Sequence, residues 1–279
     1  MKNRSENTAG GMIIVNGRRD GNLNALDRGL AYGDGVFRTL RIHQGKPVWW
    51  ADHYAKLARD CQALALACPE QHVLQTEMAA ASGDLVEGVV KIIVTRGTGA
   101  RAYALPDPVI PTRIVMASPA PDHARHATAG VNVRWCDLRL ARQPRLAGVK
   151  HLNRLENVLA RNEWHDPDIA EGLLCDDTGA VVSGTMSNLF IIHDGGLHTP
   201  ELGQAGVEGV ARLRILHAAG QRGIDVQTRR IEPKEIMAAD EVFLSNSVIG
   251  VWRVARLVDR QWNPAGWTEQ FRLWMHEAN

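Results

Sequence analysis

Residues 35–66, GVFRTLRIHQGKPVWWADHYAKLARDCQALAL, constrain the fold more than any other stretch, because the apolar period changes within them. A strand, a Gln44-Gly45 turn and a second strand come first. The spacing of Leu57, Cys61 and Leu64 then predicts a helix. A hairpin that feeds a helix places both element types in one unit. Further strands are expected at MIIVNG from Met12, at GVVKIIVTRG and at TRIVMAS. The segment PAPDHARHATAG, rich in proline and alanine without apolar periodicity, reads as a linker.

The second half predicts a strand at 131–137, a helix at 151–163 and a hairpin through LLCDDTGAVVSG. A strand NLFIIHDG, a helix at 209–221 and strands DVQTRR and EVFLSN follow. The expected architecture is α+β: two lobes with mixed β-sheets and flanking helices, one over 12–118 and one over 131–279, joined by a linker at 119–130. The crevice between such lobes is the usual place for a small-molecule site.

Composition narrows the function. The chain has 32 Lys and Arg against 31 Asp and Glu, a formal charge of +1 that offers no field for a nucleic-acid backbone or an anionic membrane. Four cysteines without C-x-x-C spacing, and no secretory signal at the start, point to the reduced cytoplasm. The polar opening MKNRSENTAGG reads as a frayed tail. No apolar run approaches the roughly 18 residues of a membrane span. His123 and His126 stand in the linker without nearby cysteines or carboxylates and read as surface histidines, so no metal site is expected.

Dinucleotide, P-loop, zincin and nucleophile-elbow motifs are all missing. Three stretches remain. In GVKHLNRLENVLAR, Lys150 stands before a helix in which Leu152, Leu155 and Leu159 form one stripe to be buried, leaving Arg154 and Arg161 wet. A lysine alone is most often a solvated charge. In QAGVEGVARLRIL, Gly206 and Gly209 precede a helix with Leu213 and Leu216 on its apolar side, and a helix start with close backbone access favours an anion. Asn246 and Ser247, in LSNSVIGV, suit the same task or a simple turn. In VTRGTGARAYALP, Arg96, Arg101 and Tyr103 surround two glycines in a loop that could aim a guanidinium at a carboxylate.

Taken in order, LDRGLAYGDGVFRTLR, TRGTGARAY, GVKHLNRLENVLAR, GTMSNLF and QAGVEGVARLRIL resemble the pyridoxal-phosphate enzymes of fold type IV, nearly end to end. That family includes aminodeoxychorismate lyases and the D-amino-acid and branched-chain aminotransferases. AGVKHLNRLENVLAR and QAGVEGV look most like the lyases, which implies release of pyruvate and 4-aminobenzoate from 4-amino-4-deoxychorismate in folate biosynthesis. The alternatives are an aminotransferase of the same fold and a non-catalytic binding protein on this scaffold.

The resemblance implies a pyridoxal 5'-phosphate site in which Lys150 binds the cofactor covalently. Val210 and Ala211 would hold its phosphate through their backbone, with Asn246 and Ser247 in a second phosphate-binding turn. Thr39 would present a hydroxyl near the cofactor, and Arg101 and Tyr103 would meet substrate carboxylates. A homodimer is implied as well. Two positions depart from the family. Ser183 stands where many members have a glutamate on the pyridine nitrogen, which bears on the strength of the electron sink. Lys56 stands where many have an arginine reaching the phosphate; it keeps the charge and loses the planar fork.

Overall fold

The computed structural model describes residues 12–99, 102–122 and 124–277, so the tail 1–11, Arg101 and His123 lie outside the described residues. The chain divides into two compact units: Met1–Pro121 with Lys150–Asn153, and Asp122–Val149 with Arg154–Asn279.

The first unit runs β1 (Ile13–Val15), α1 (Arg28–Tyr32), β2 (Gly35–His43), β3 (Lys46–Pro47), α2 (Trp50–Ala63), α3 (Gln71–Ser82), β4 (Gly88–Thr95) and β5 (Thr112–Pro119). Its sheet, in the order β1-β5-β4-β2-β3, is antiparallel throughout. The period of two along β2 buries Val36, Arg38, Leu40 and Ile42, and leaves Phe37, Thr39 and Arg41 half-buried on the other face. Helix α2 packs on this strand through His53, Lys56, Leu57, Asp60 and Cys61, a helical spacing.

The second unit runs α4 (Ala124–Ala129), β6 (Val131–Leu140), α5 (Leu155–Arg161), β7 (Ile169–Asp176), β8 (Val181–Gly184), β9 (Asn188–His193), β10 (Gly196–Pro200) and α6 (Val210–Gln221). β11 (Val226–Arg229), α7 (Pro233–Ala238), β12 (Glu241–Asn246), β13 (Gly250–Leu257), β14 (Arg260–Gln261) and α8 (Trp267–Glu277) complete it. The sheet path is β11-β10-β9-β12-β13-β6-β7-β8, with β14 on β13. The mixed character expected from the sequence resides here, in the parallel pairs β10/β11, β13/β6 and β6/β7. Its core is built from Val131, Val133, Leu189, Ile191, Val242, Leu244 and Trp252. Each large apolar side chain buried in this way contributes about 1.5 to 3 kcal/mol. No helix among the described residues is long and apolar enough to cross a membrane.

Three expectations change. The stretch expected to be a plain linker holds α4. Lys150–Asn153 belongs to the first unit, because its backbone pairs with β2: Phe37 N–H donates to Lys150 O (2.9 Å), Leu152 N–H donates to Gly35 O (2.9 Å) and Val36 bridges His151. That pairing delays the helix to Leu155; of the stripe expected to be buried, Leu155 and Leu159 are exposed and Leu152 is half-buried, and Val158 is exposed as well. Arg154 is half-buried and donates to Val149 O (3.4 Å), and burial pushes its guanidinium down to about 10. On α6 the fully buried side is Val210, Ala211, Ile215 and Ala219, with Leu213 and Leu216 half-buried.

Candidate active site

In the first unit, Lys150 is half-buried and its Nζ lies 4.4 Å from the centroid of the Phe37 ring. The same ring receives a second ammonium, Lys91 Nζ, at 5.1 Å. Lys91 is paired across the sheet with Thr39, so Phe37, Thr39 and Lys91 share one face. Beneath, on the buried face of β2, Asp60 gathers three donors. Its Oδ2 accepts from Arg38 and from the backbone N–H of Lys150 (3.2 Å), and its Oδ1 accepts from Lys56. Arg38, Lys56 and Asp60 are all nearly inaccessible to water. Such burial of charge is tolerated only when the charges are paired.

The loop after β4 is organised by Asp34. Arg28 Nε and Arg96 Nε each donate to its carboxylate at 2.8 Å. Burial alone would raise the Asp34 carboxyl, but hydrogen bonds and charge from Arg96 and Arg28 hold it below the usual carboxylate range. Arg96 also donates to Leu64 O and Ala65 O, so its donors are spent inside the fold, whereas the sequence reading had offered it to a ligand. Arg28 fastens the carbonyls of Ala102 (3.0 Å) and Ala104 (3.3 Å). Between them Tyr103 is 82% exposed, with its ring 5.5 Å from Tyr32. It is therefore available to a ligand.

In the second unit, Ser183 is buried at the end of β8 and its Oγ donates to Gly184 O (2.9 Å). The neighbouring loop wraps the buried Glu171. Its carboxylate accepts from the backbone N–H groups of Gly172, Thr185 and Met186 and from the hydroxyls of Thr185 and Ser187. Gly184 permits this wrap, since a Cβ there would fall 2.3 Å from Ser187 Oγ and 2.8 Å from Glu171 Oε2. With five donors in place, Glu171 has no acceptor capacity to spare for a ligand.

Helix α6 starts at Gly209, whose backbone N–H donates to Asn188 Oδ1 (3.2 Å); a Cβ at Gly209 would fall 2.4 Å from that oxygen. No side chain caps the helix, so the first-turn N–H groups of Val210 and Ala211 remain for an anion. Ser245, directly across the sheet from Asn188 and therefore on the same face, is fully buried with an unpartnered Oγ. Asn246 shapes the following turn: Oδ1 accepts from Val248 N–H (2.8 Å) and Ile249 N–H (2.9 Å), and Nδ2 donates to Met186 O (3.0 Å). Ser247 is carried on that turn. Uncapped helix donors beside a buried orphan hydroxyl fit a phosphate group.

Lys150, Lys56, Thr39 and Tyr103 thus fall in the first unit, and Ser183, Val210, Ala211, Asn246 and Ser247 in the second. Sequence spacing carries no signal for Asp60, Lys91, Glu171 or Ser245. Only the alternating burial of β2 and β4 could have paired Lys91 with Thr39.

Comparison with known proteins matches residues 35–257 to the family described as amino-transferase class IV. The aminodeoxychorismate lyase of Vibrio harveyi is 33% identical over 242 residues, covering 86% of this chain and 89% of that protein. A D-alanine aminotransferase of Listeria monocytogenes is 28% identical over 263 residues, covering 88% and 87%. Among solved structures, 4-amino-4-deoxychorismate lyase from Pseudomonas aeruginosa superposes with a TM-score of 0.91 at 43% identity, covering 95% of this chain and 98% of that one.

Proposed function

Because the chain belongs to the class IV amino-transferase family, with pyridoxal 5'-phosphate as its cofactor, we propose that it is a lyase converting 4-amino-4-deoxychorismate to 4-aminobenzoate and pyruvate. The observation that carries this reading over transamination is at Ser183. A neutral hydroxyl, itself donating to Gly184 O, stands where a carboxylate would hold the pyridine nitrogen protonated, and Glu171 nearby is saturated. Loss of enolpyruvate from this substrate makes an aromatic ring, and that driving force lowers the demand on the electron sink.

When bound, the cofactor supplies an electrophilic carbon for the substrate amine and draws electron density from the carbon bearing that nitrogen. In this reading Lys150 would hold it covalently, the first turn of α6 at Val210 and Ala211 would hold its phosphate with Ser245 and Ser247, and Lys56 would add positive charge. Displaced by the substrate amine, Lys150 Nζ would be left as a neutral amine able to take the proton from the carbon bearing nitrogen. The ring carbon–oxygen bond then breaks, and Lys150 or Thr39 delivers a proton to the departing enolpyruvate, which becomes pyruvate. Lys91 beside Phe37, with Tyr103 and Arg101, supplies charge and hydrogen bonds for a substrate that carries two carboxylates.

The enzyme works as a homodimer in this reading. The exposed apolar face of α5, Leu155, Val158 and Leu159, is the supporting observation, and Leu159→Asp with sedimentation tests it. Its four free cysteines suit the cytoplasm. Activity is tested by incubating the protein and cofactor with 4-amino-4-deoxychorismate and no oxo acid. Formation of 4-aminobenzoate and pyruvate in equal amounts is expected. Absence of both, alongside amine transfer from D-alanine to an oxo acid, would overturn the reading in favour of the aminotransferase.

A further inference from the structure

Lys150 is presented by a strand-like segment, and Asp60 lies 90 residues away on a helix, yet its Oδ2 accepts the Lys150 backbone N–H at 3.2 Å. The same carboxylate is paired with Arg38 and Lys56. The buried side of α2 carries His53, Lys56, Asp60 and Cys61, the buried side of β2 carries Arg38, Lys91 shares the Phe37 ring from β4, and His151 follows in the chain. Asp60 is the acid in this group, set against three basic side chains, Arg38, Lys56 and Lys91.

We propose that Asp60 is a positioning residue for Lys150: it fixes the backbone that presents the amine, and it sets the charge around that amine by neutralising Arg38 and Lys56. The proposal rests on the reading of Lys150 as the cofactor-bearing lysine. Two consequences follow from the charge arrangement. Removing the anion takes a charge partner from Arg38 and Lys56 in the unit that carries the Lys150 amine, and the added positive charge disfavours the protonated form of that amine. Removing Arg38 does the opposite, because Asp60 then carries excess negative charge. The two substitutions therefore move one observable in opposite directions, which a purely structural contact would not do.

The observable is the pH midpoint of the visible band of the cofactor-loaded protein. Asp60→Asn should lower it by about one pH unit, Arg38→Met should raise it by a similar amount, and Asp60→Glu should restore the wild-type value. Turnover of Asp60→Asn should fall at least about tenfold in kcat with KM little changed, because the amine and not the substrate contacts is displaced. An unmoved midpoint in loaded Asp60→Asn, or a shift of the same sign in both substitutions, overturns the proposal. If Asp60→Asn does not fold, Arg38→Met decides alone: no rise in the midpoint overturns it. Failure of the underlying reading is separate, since borohydride reduction of the wild type would then leave Lys150 unmodified by mass spectrometry.

Discussion

The two units hold their buried acids in different ways. In the first, Asp60 is clamped by Arg38 and Lys56 and Glu77 by Arg113, and the half-buried Asp34 is clamped by Arg28 and Arg96. In the second, Glu171 is wrapped by backbone N–H groups and hydroxyls, Asp176 by Thr178 and Ala180, and Glu241 by the backbone of Ala265 and Trp267 and by Thr268. Asp27, held by Gly29 N–H and Thr95 Oγ1, is the exception in the first unit. An acid held by cations transmits a change of charge to its partners. One held by neutral donors transmits only geometry. Lys150 belongs to the first kind of environment, and the loop carrying Ser183 to the second.

The contrast is broken most severely at Lys150 itself. Lys150→Ala should abolish turnover and the visible cofactor band while the thermal unfolding midpoint stays close to wild type, since the task proposed for the amine is covalent. Residual activity above about a hundredth of wild type would remove Lys150 from that role, because acid–base help alone is worth roughly 10² to 10⁴.

Asp34 tests the cation-held class. Its carboxyl is depressed below the unfolded value, so its contribution to stability is present above about pH 4 and is lost as pH falls through the folded value. Asp34→Asn should cost about 3 kcal/mol at pH 7 by stranding two buried guanidinium groups, and should flatten the acid side of the stability curve. Urea titrations from pH 3 to 7 read both effects; an unchanged acid slope would contradict the assignment.

Glu171→Gln tests the neutral-held class and should cost about 2 kcal/mol, because the new amide sets a donor against Met186 N–H or Thr185 N–H. Unlike Asp60→Asn, it should leave the pH midpoint of the visible band in place. A moved midpoint would erase the distinction between the two units.

The smallest effect is expected at Ser183. Placing a carboxylate there puts a negative charge where a neutral hydroxyl now stands, and Ser183→Glu should raise transamination of simple amino acids relative to lyase turnover by several-fold, since a nearby anion favours a protonated ring nitrogen. Both activities measured on one preparation check this. An unchanged ratio with cofactor bound would remove the reason for preferring lyase chemistry at this position.

Much of the fold was legible in the residues alone. The alternation in GVFRTLRIH set which face of β2 is buried, the Leu57 and Cys61 spacing set the inward side of α2, and Gly209 marked the start of α6, because local periodicity and backbone freedom are properties of neighbours in sequence. Lys150 and the start of α6, which no side chain caps, stood out for the same reason, as motifs within a few residues. What surrounds them was not. The extended backbone at 150–152 overrides the helical spacing of Leu152 and Leu155, since its amide and carbonyl groups find partners on β2 that no local pattern encodes. Asp60 looked like a polar residue on a soluble helix until packing of α2 on β2 enclosed it with Arg38, and Glu171 became a loop organiser only when the chain returned at Thr185. Periodicity determines which face a residue occupies; which distant charges share that face is decided only when the elements pack, and here that decision set the surroundings of Lys150.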